Sequence, residues 1–244
     1  TLCNTSHIKF DTFYTREETY RFEYYKCLSI GEECLKNKLK CKYVPIKGDW
    51  DIEDSAELAI VSTFHRIFHN KHLEKFKYLI NIHPSLLPDY KGALPTSGSI
   101  LAGEMIVGIT AHMLNKELDS GDIIYQERLF NPYLNDFEMR KALAFISKNA
   151  IEHIIRTYPD FTYIQNSIAG KNLSIMRDRD SIIIEKNIKS LEQLAHHIKA
   201  FTNYPMPKIE LSNGRLFVID YQNPIDLVSI KVANNQFSLL GRYL

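Results

Sequence analysis

The sequence lacks the features that mark export, membrane insertion or a disulfide-stapled fold. Its four cysteines all fall within the first 41 residues and form no C-x-x-C pair, so neither a disulfide framework nor a metal site of closely paired ligands is predicted. No apolar run reaches the roughly 18 residues of a membrane span, and no signal-peptide pattern opens the chain. The expected protein is therefore cytoplasmic, reduced, free of bound metal and independent of membranes.

Zinc is the alternative interpretation for Cys27, Cys34 and Cys41, which are spaced seven residues apart. Structural zinc sites, however, usually bring their ligands in closely spaced pairs. A spacing of seven instead places small apolar side chains on one face of a helix. The spacing therefore favours packing over metal binding.

A surplus of one charge is missing as well. The chain carries 30 basic and 29 acidic residues, for a formal net charge of +1. Broad binding to nucleic acid needs many Lys and Arg side chains to neutralise phosphates, so no nucleic-acid partner is expected. The 244 residues, of which 45% are hydrophobic, suit one medium globular domain with or without a small appendage.

Alternating apolar and amphipathic segments predict an α/β fold over most of the chain. Segments typical of strands lie at 42–45, 58–63, 78–83, 107–114 and 123–126. Segments typical of helices lie at 29–39, 70–76, 96–102 and 137–157. The compact run 58–63 is expected to be covered on both faces. Because helices connect successive strands, the sheet is predicted to be largely parallel.

The two ends of the chain depart from this alternation. Residues 8–26 are rich in Phe and Tyr and are typical of one or two strands. After about residue 180 a helical segment at 190–201 is followed by short strand-like segments that Asn-containing turns separate, at 208–211, 215–220, 227–232 and 236–239. We therefore expect a catalytic domain over 1–183 and a small helix-plus-strand appendage over 184–244.

Asn81 and His83 are the first residues that suggest chemistry. They are two apart on the predicted strand 78–83, so their side chains share one face at its C-terminal end. Ligands of open α/β sheets bind beyond those ends. An Asn amide can hydrogen-bond a developing oxyanion, and a His can exchange protons near neutral pH. An isolated N-x-H pattern often arises by chance, so the assignment depends on the longer string around it.

That longer string resembles the signature of folate-dependent formyltransferases. Four strings occur in the family's order: F-H-R-I-F at 64–68, N-I-H-P-S-L-L-P at 81–88 followed by Lys91-Gly92, G-I-T-A-H at 108–112, and L-D-S-G-D-I-I at 118–124. The resemblance is strong over 58–126 and moderate to about 220. It implies a Rossmann-like α/β core that transfers the formyl group of N10-formyltetrahydrofolate, its co-substrate, to an amine.

The resemblance also implies roles for particular residues. The catalytic residues map to Asn81, His83 and Asp119: an oxyanion donor, a proton relay, and a carboxylate that favours the imidazolium or holds a relaying water. Asp122 competes with Asp119, but the D-x-G pattern selects Asp119. His112 either orients the site or is a structural residue. The residues expected to contact the folate are His65, Arg66, Ile67, Phe68 and Asp122.

The amine-bearing substrate is the least determined part of the resemblance. Its expected contacts are Pro84, Ser85, Lys91 and Gly92, with the rings of Tyr204 and Tyr221 as candidates to stack on a nucleobase. Family members usually open with an apolar strand and a Gly-rich turn, which this chain lacks near its start. Asn4, Thr15 and Arg16 are therefore either substrate contacts or ordinary polar residues.

The family includes branches that formylate glycinamide ribonucleotide, methionyl-tRNA or a nucleotide-linked amino sugar, and one that hydrolyses formyl-folate. The short β-rich appendage is similar to the sugar branch, so a dTDP- or UDP-linked amino deoxysugar is the expected substrate. The appendage is expected to build a homodimer through exposed strand edges at 215–220 and 227–232. The alternatives are a methionyl-tRNA formyltransferase-like enzyme and a folate-binding scaffold without catalysis.

Overall fold

The structure is a computed structural model that describes residues 11–16, 29–131, 134–167, 169–171, 178–202, 206–220, 226–232 and 235–243. The chain forms two compact units. The first comprises Thr1–Ile82 with Met113–Lys116, and the second comprises His83–His112 with Glu117–Leu244. Helices in the described part of the chain all fall short of the length and apolar character that a membrane crossing requires.

The first unit contains two pairs of parallel strands. Its elements are β1 (Thr12–Arg16), α1 (Ile30–Lys36), β2 (Lys40–Val44), β3 (Ala56–Ser62), α2 (Asn70–Leu73) and β4 (Phe76–His83), whose last residue belongs to the second unit. β1 pairs with β2, and β3 pairs with β4. Ser29 begins α1 with a capping box: its hydroxyl accepts from the Glu32 amide, and the Glu32 carboxylate accepts from the Ser29 amide.

Trp50 is the centre of the apolar cluster in this unit. It is buried with Val44 and Ile52, and its ring centroid lies 5.4 Å from those of both Phe64 and Phe68. Phe64 and Phe68 are the first and last residues of the string 64–68. Their packing against Trp50 therefore holds this loop to the first unit.

The described residues of the second unit form an antiparallel strand pair, three α-helices and a strand-rich C-terminal part. Its elements are α3 (Pro95–Leu101), β5 (Ile106–Met113, whose last residue belongs to the first unit), β6 (Ile123–Phe130), α4 (Asp136–Thr157), β7 (Ile182–Ile184), α5 (Leu191–Ala200), β8 (Lys208–Glu210), β9 (Leu216–Ile219), β10 (Asp226–Val232) and β11 (Asn235–Tyr243). β5 runs antiparallel to β6, with a register shift between Ala111 and His112. The C-terminal strands form one sheet in the order β10-β11-β9-β8-β7.

Helices α3 and α4 are joined by a buried polar contact. The Asp136 carboxylate, 1% exposed, accepts hydrogen bonds from the Thr96 hydroxyl at 2.6 Å and from Arg140 Nε at 2.7 Å. Asn135 precedes Asp136 and caps α4 by accepting from the Glu138 amide at 3.0 Å. α5 packs on α3, so the C-terminal part of the chain supports the helix that follows the His83 loop.

These elements confirm an α/β fold with parallel strands and a strand-rich C-terminal region. Three expectations were wrong in detail. β3 is only half-buried or exposed along its length, whereas full cover was predicted. α2 ends at Leu73 because residues 76–83 join β4. Cys34 lies on α1 and Cys41 on β2, so they do not share a helix face, and Cys27 lies outside the described residues.

The C-terminal sheet also corrects the predicted pairing edges. β9 lies between β11 and β8, so both its edges are occupied and only β10 of the two predicted strands ends the sheet. β7 was missed because its three residues are too few to show a pattern. The homodimer and the domain division at 183/184 stay predictions. Most of the aromatic stretch 8–26 lies outside the described residues.

Substitutions on β10 test the core of this sheet. Ile230 is 1% exposed, whereas Leu227 on the same strand is 63% exposed. We expect Ile230→Ala to lower the free energy of unfolding by about 2–5 kcal/mol, because it removes buried methyl groups and leaves a cavity. Leu227→Ala should stay within about 0.5 kcal/mol of the parent. Urea denaturation followed by circular dichroism measures both, and equal losses would contradict the assigned burial.

Candidate active site

Strand β4 carries both Asn81 and His83. One residue separates them, so the alternation of a strand directs both side chains to the same face. Asn81 is half-buried and lies in register with Val61 of β3. His83 ends the strand and is only 4% exposed. The predicted strand agrees with the structure, which places both residues on β4.

The imidazole of His83 is held in a defined orientation. Its Nε2 lies 3.0 Å from the carbonyl oxygen of Tyr90. A carbonyl only accepts hydrogen bonds, so Nε2 carries the hydrogen, and in the neutral ring Nδ1 has a free lone pair. Nδ1 lies 3.6 Å from Oδ2 of Asp119. A proton that reached Nδ1 would therefore sit beside a carboxylate.

Asp119 lies in the turn between β5 and β6 and is 5% exposed. Its Oδ2 accepts a hydrogen bond of 2.8 Å from the Gly92 amide. Its Oδ1 lies 3.6 Å from Nε2 of His112, which is fully buried at the end of β5. One carboxylate thus lies between two imidazoles, and the ring centroids of His83 and His112 are 6.4 Å apart.

Burial and charge set the protonation of this group. Burial lowers the pKa of His83, and the opposing attraction of Asp119 does not fully offset it. For Asp119, burial raises the pKa most strongly, but His112, His83 and the Gly92 amide together outweigh it and lower the pKa overall. At pH 7 the site therefore pairs a neutral imidazole with an ionised carboxylate. That pairing suits a proton acceptor whose charged form is stabilised after it has taken the proton.

Asn166 holds the turn that carries Asp119. Its amide nitrogen donates to the carbonyl oxygens of Asp119 at 3.1 Å and Gly121 at 3.2 Å, and the residue is buried. Asp119 has a φ of +46°, a left-handed conformation in which a residue other than Gly needs support. The sequence offered no signal for Asn166, because it lies 47 residues from Asp119 outside every recognised string.

The loop after His83 is anchored by hydroxyl groups. The Ser85 hydroxyl donates to the Asp89 carbonyl at 2.6 Å. The Thr110 hydroxyl on β5 donates to the Ser85 carbonyl at 2.7 Å and accepts from the Leu87 amide at 3.0 Å. Gln126 adds a hydrogen bond of 2.7 Å to the Leu87 carbonyl. The described side-chain contact of Ser85 therefore lies within the loop itself, and its predicted contact with substrate stays a prediction.

The other residues expected at the substrate lie on or beside this loop. Pro84 is half-buried. Lys91 Nζ lies 3.3 Å from the Ser167 carbonyl oxygen. Gly92 has a φ of +107°, a conformation that only Gly adopts readily, and its amide is committed to Asp119. Tyr204, Tyr221 and Asn4 lie outside the described residues, while Thr15 is buried and Arg16 half-buried on β1.

The loop expected to contact the folate is held to the first unit by its side chains. The Arg66 guanidinium donates to the Pro45 carbonyl at 2.9 Å and also to the Gly48 carbonyl. His65 lies 3.4 Å from the same Pro45 oxygen. Phe68 packs on Trp50 as described above, and Ile67 is 73% exposed. Asp122, the competitor of Asp119, is also exposed.

Comparisons with known proteins find similarity to formyltransferases. The sequence profile described as formyl transferase matches residues 52–131. Methionyl-tRNA formyltransferase from Borrelia duttonii is 27% identical over 211 residues, which cover 78% of this chain and 64% of that protein. The chain therefore spans slightly less than two thirds of the length of this curated relative.

Two solved structures share the fold. A 4-N formyltransferase from Francisella tularensis superposes with a TM-score of 0.60 at 23% identity, over 70% of this chain and 72% of that one. WlaRD, a sugar 3N-formyl transferase solved in the presence of dTDP and 5-N-formyl-THF, superposes with a TM-score of 0.59 at 18% identity, over 88% of this chain and 81% of that one.

The protonation of His83 is directly testable. Because the negative charge of Asp119 raises the pKa of His83 against the effect of burial, Asp119→Asn should lower that pKa further. Asn at this position still offers an oxygen to the Gly92 amide. Titration of the histidine ring signals by NMR measures the change. Asp122→Asn is the matched control and should leave the pKa of His83 unchanged, whereas an unchanged value in Asp119→Asn would refute the proposed coupling.

Proposed function

We propose that the chain is a folate-dependent formyltransferase that transfers the formyl group of N10-formyltetrahydrofolate to an amine, because residues 52–131 match the formyl transferase profile. The observation that carries the proposal is the buried pairing of His83 with Asp119, two groups that the family resemblance assigns to catalysis and that lie 3.6 Å apart. A neutral imidazole beside an ionised carboxylate is the arrangement that removal of a proton from an attacking amine requires.

The residues divide the reaction between charge stabilisation and proton transfer. The amine nitrogen attacks the formyl carbon, and the carbonyl oxygen becomes an oxyanion that the Asn81 amide stabilises as a hydrogen-bond donor. His83 accepts the proton that the amine loses, and Asp119 stabilises the imidazolium that results. The same proton is then delivered to N10 of the folate as the bond from N10 to the formyl carbon breaks. This sequence conserves atoms and charge without a metal ion.

The loop of residues 65–68 is the proposed contact for the folate. Its side chains at Arg66 and Phe68 fix the loop, which keeps its backbone amide and carbonyl groups in place for the polar edge of a pterin. Ile67 is the exposed apolar residue of the loop and suits contact with a flat heteroaromatic ring. Asp122, which is exposed, is the remaining residue that we propose as a contact for the folate.

For the acceptor we favour the amine of a nucleotide-linked amino deoxysugar, with dTDP or UDP as the nucleotide. The fold is shared with WlaRD, a sugar 3N-formyl transferase solved with dTDP, over 88% of this chain. The net charge of +1 also fits a small nucleotide sugar better than a tRNA. A cytoplasmic homodimer remains part of this proposal.

Methionyl-tRNA is the second candidate acceptor, because the Borrelia duttonii relative bears that activity in its name. A transfer assay separates the candidates. The protein is incubated with N10-formyltetrahydrofolate and either a panel of dTDP- and UDP-linked 3-amino and 4-amino sugars or methionyl-tRNA. Release of tetrahydrofolate and the mass of the product are measured. Formylation of a sugar supports the proposal, formylation of methionyl-tRNA alone supports the second candidate, and folate binding without turnover supports a scaffold.

Substitutions in the site test the assigned roles. His83→Asn should lower turnover on the identified acceptor by about 100-fold or more, because it removes the proton acceptor. Asp119→Asn should also lower turnover strongly, because the imidazolium loses its stabilising charge. Asp122→Asn, on the proposed folate side, should instead raise the KM for the formyl donor and leave most of kcat intact. An active Asp119→Asn together with an inactive Asp122→Asn would transfer the catalytic role to Asp122.

The pH dependence of the rate follows from the lowered pKa of His83. A base works only when it is unprotonated, and burial holds the pKa of His83 below its ordinary value of 6.5. We therefore expect the acidic limb that His83 contributes to kcat/KM to lie below pH 6.5, apart from the limb that protonation of the acceptor amine itself contributes. An acidic limb above pH 7 that does not match the pKa of the acceptor amine would contradict the assignment of neutral His83 as the base.

A further inference from the structure

Tyr90 is fixed at three of its atoms next to His83. Its carbonyl oxygen lies 3.0 Å from His83 Nε2, its amide donates to the Lys171 carbonyl at 2.9 Å, and its hydroxyl donates to Glu104 Oε1 at 2.5 Å. Lys171 Nζ binds the same Glu104 oxygen at 2.6 Å. Glu104 therefore joins the side chains of Tyr90 and Lys171 on one oxygen.

The segment 169–171 lies directly against the loop that carries Tyr90. The Lys171 amide donates to Asp89 Oδ1 at 2.6 Å. A Cβ placed on Gly170 would lie 2.0 Å from the Pro88 carbonyl oxygen, so only Gly allows the segment to approach this closely. Backbone contacts and an ion pair thus hold residues 169–171 to the loop next to Tyr90.

Tyr90 needs such support because its φ is +57°. A bulky side chain in the left-handed region is unfavourable, and the conformation persists only where neighbouring contacts impose it. That conformation belongs to the arrangement in which the Tyr90 carbonyl faces His83. If Tyr90 lost its contacts with residues 169–171 and Glu104, its φ would relax to negative values. The Tyr90 carbonyl would then turn away from the imidazole of His83.

The Tyr90 carbonyl decides which nitrogen of neutral His83 carries the hydrogen. Asp119, with its Oδ2 3.6 Å from Nδ1, favours the hydrogen on Nδ1, which would leave no lone pair there for an incoming proton. The Tyr90 carbonyl favours the hydrogen on Nε2. The two acceptors compete for one hydrogen, and the position of Tyr90 determines the outcome.

We propose that Glu104 and the segment 169–171 are positioning elements that hold the Tyr90 carbonyl on His83, so that Nδ1 stays available to accept a proton. The proposal deepens the function proposed above and rests on His83 being the base. Tyr90, Glu104 and Lys171 are positioning residues, because they act through His83 and not on the reacting atoms. None of the motif strings includes Glu104, Gly170 or Lys171.

Glu104→Ala is the principal test, because it removes the anchor of the Tyr90 hydroxyl and of Lys171 together. The ¹⁵N shifts of the His83 ring report which nitrogen carries the hydrogen. We expect Nε2–H in the parent protein and a population shifted toward Nδ1–H in Glu104→Ala. The kcat should fall by about tenfold or more, because a misplaced catalytic group lowers the rate without loss of binding, and the KM for the formyl donor should change little.

Glu104→Gln provides the rescue. Its amide oxygen can still accept from the Tyr90 hydroxyl and Lys171, so both the His83 tautomer and most of kcat should be retained. Gly170→Ala tests whether the segment 169–171 positions Tyr90, because the added Cβ would collide with the Pro88 carbonyl oxygen. Gly214→Ala is the control. A Cβ at Gly214 would meet nothing within 4 Å, although its φ of +78° disfavours Ala locally. Gly170→Ala should shift the tautomer, and Gly214→Ala should leave it unchanged.

The outcomes separate this proposal from the proposed function. The NMR readout needs no substrate, so a tautomer shift in Glu104→Ala and Gly170→Ala supports the positioning device even if no acceptor is formylated. Formyl transfer by the parent, combined with an unchanged His83 tautomer and kcat in folded Glu104→Ala, overturns the device and leaves the proposed function intact. A parent His83 that carries its hydrogen on Nδ1 overturns the device outright.

Discussion

The buried carboxylate of Asp119 is the constraint on which the rest of the site depends. An ionised carboxylate is costly to bury unless hydrogen bonds and opposite charge compensate it. Here the Gly92 amide and the His112 imidazole stabilise it, and Asn166 fixes the turn that holds it. This requirement accounts for the left-handed backbone at Gly92 and at Asp119. His112, which is fully buried, lies beside the same carboxylate, with its Nε2 3.6 Å from Asp119 Oδ1.

The strings that carry the family resemblance combine reacting groups with residues that hold them. In the loop after β4, the Ser85 hydroxyl and the Thr110 hydroxyl both serve the backbone of the loop. His83, by contrast, has one nitrogen committed to the Tyr90 carbonyl and the other facing Asp119. The rigidity of the loop thus comes from side chain–backbone hydrogen bonds, and it leaves a single imidazole nitrogen for proton transfer.

The C-terminal part of the chain belongs to the same compact unit as His83 and Asp119. α5 packs on α3, and α3 follows the loop that carries Tyr90 and Gly92. The strand-rich region therefore supports the site as well as forming its own apolar core around Phe217 and Ile230. The near-zero net charge of the chain is the physical ground on which we propose a nucleotide sugar in preference to tRNA as the acceptor.

The sequence by itself determined the α/β class and most of the strands and helices, and it supplied the candidate reacting side chains, because periodicity and contiguous strings depend on residues that are neighbours in the chain. It predicted the helix over 137–157 well, since Asn135 caps it and a regular apolar face continues through it. It was wrong about the burial of β3, the end of α2 and the shared helix face of the cysteines. The burial of a strand depends on which elements pack over it, and short segments carry too little pattern to fix their ends. Only the tertiary structure decided that Asn166, Glu104 and Lys171 support the site. Their contacts join segments far apart in sequence, and hydrogen bonds between such segments leave no local trace in composition or spacing.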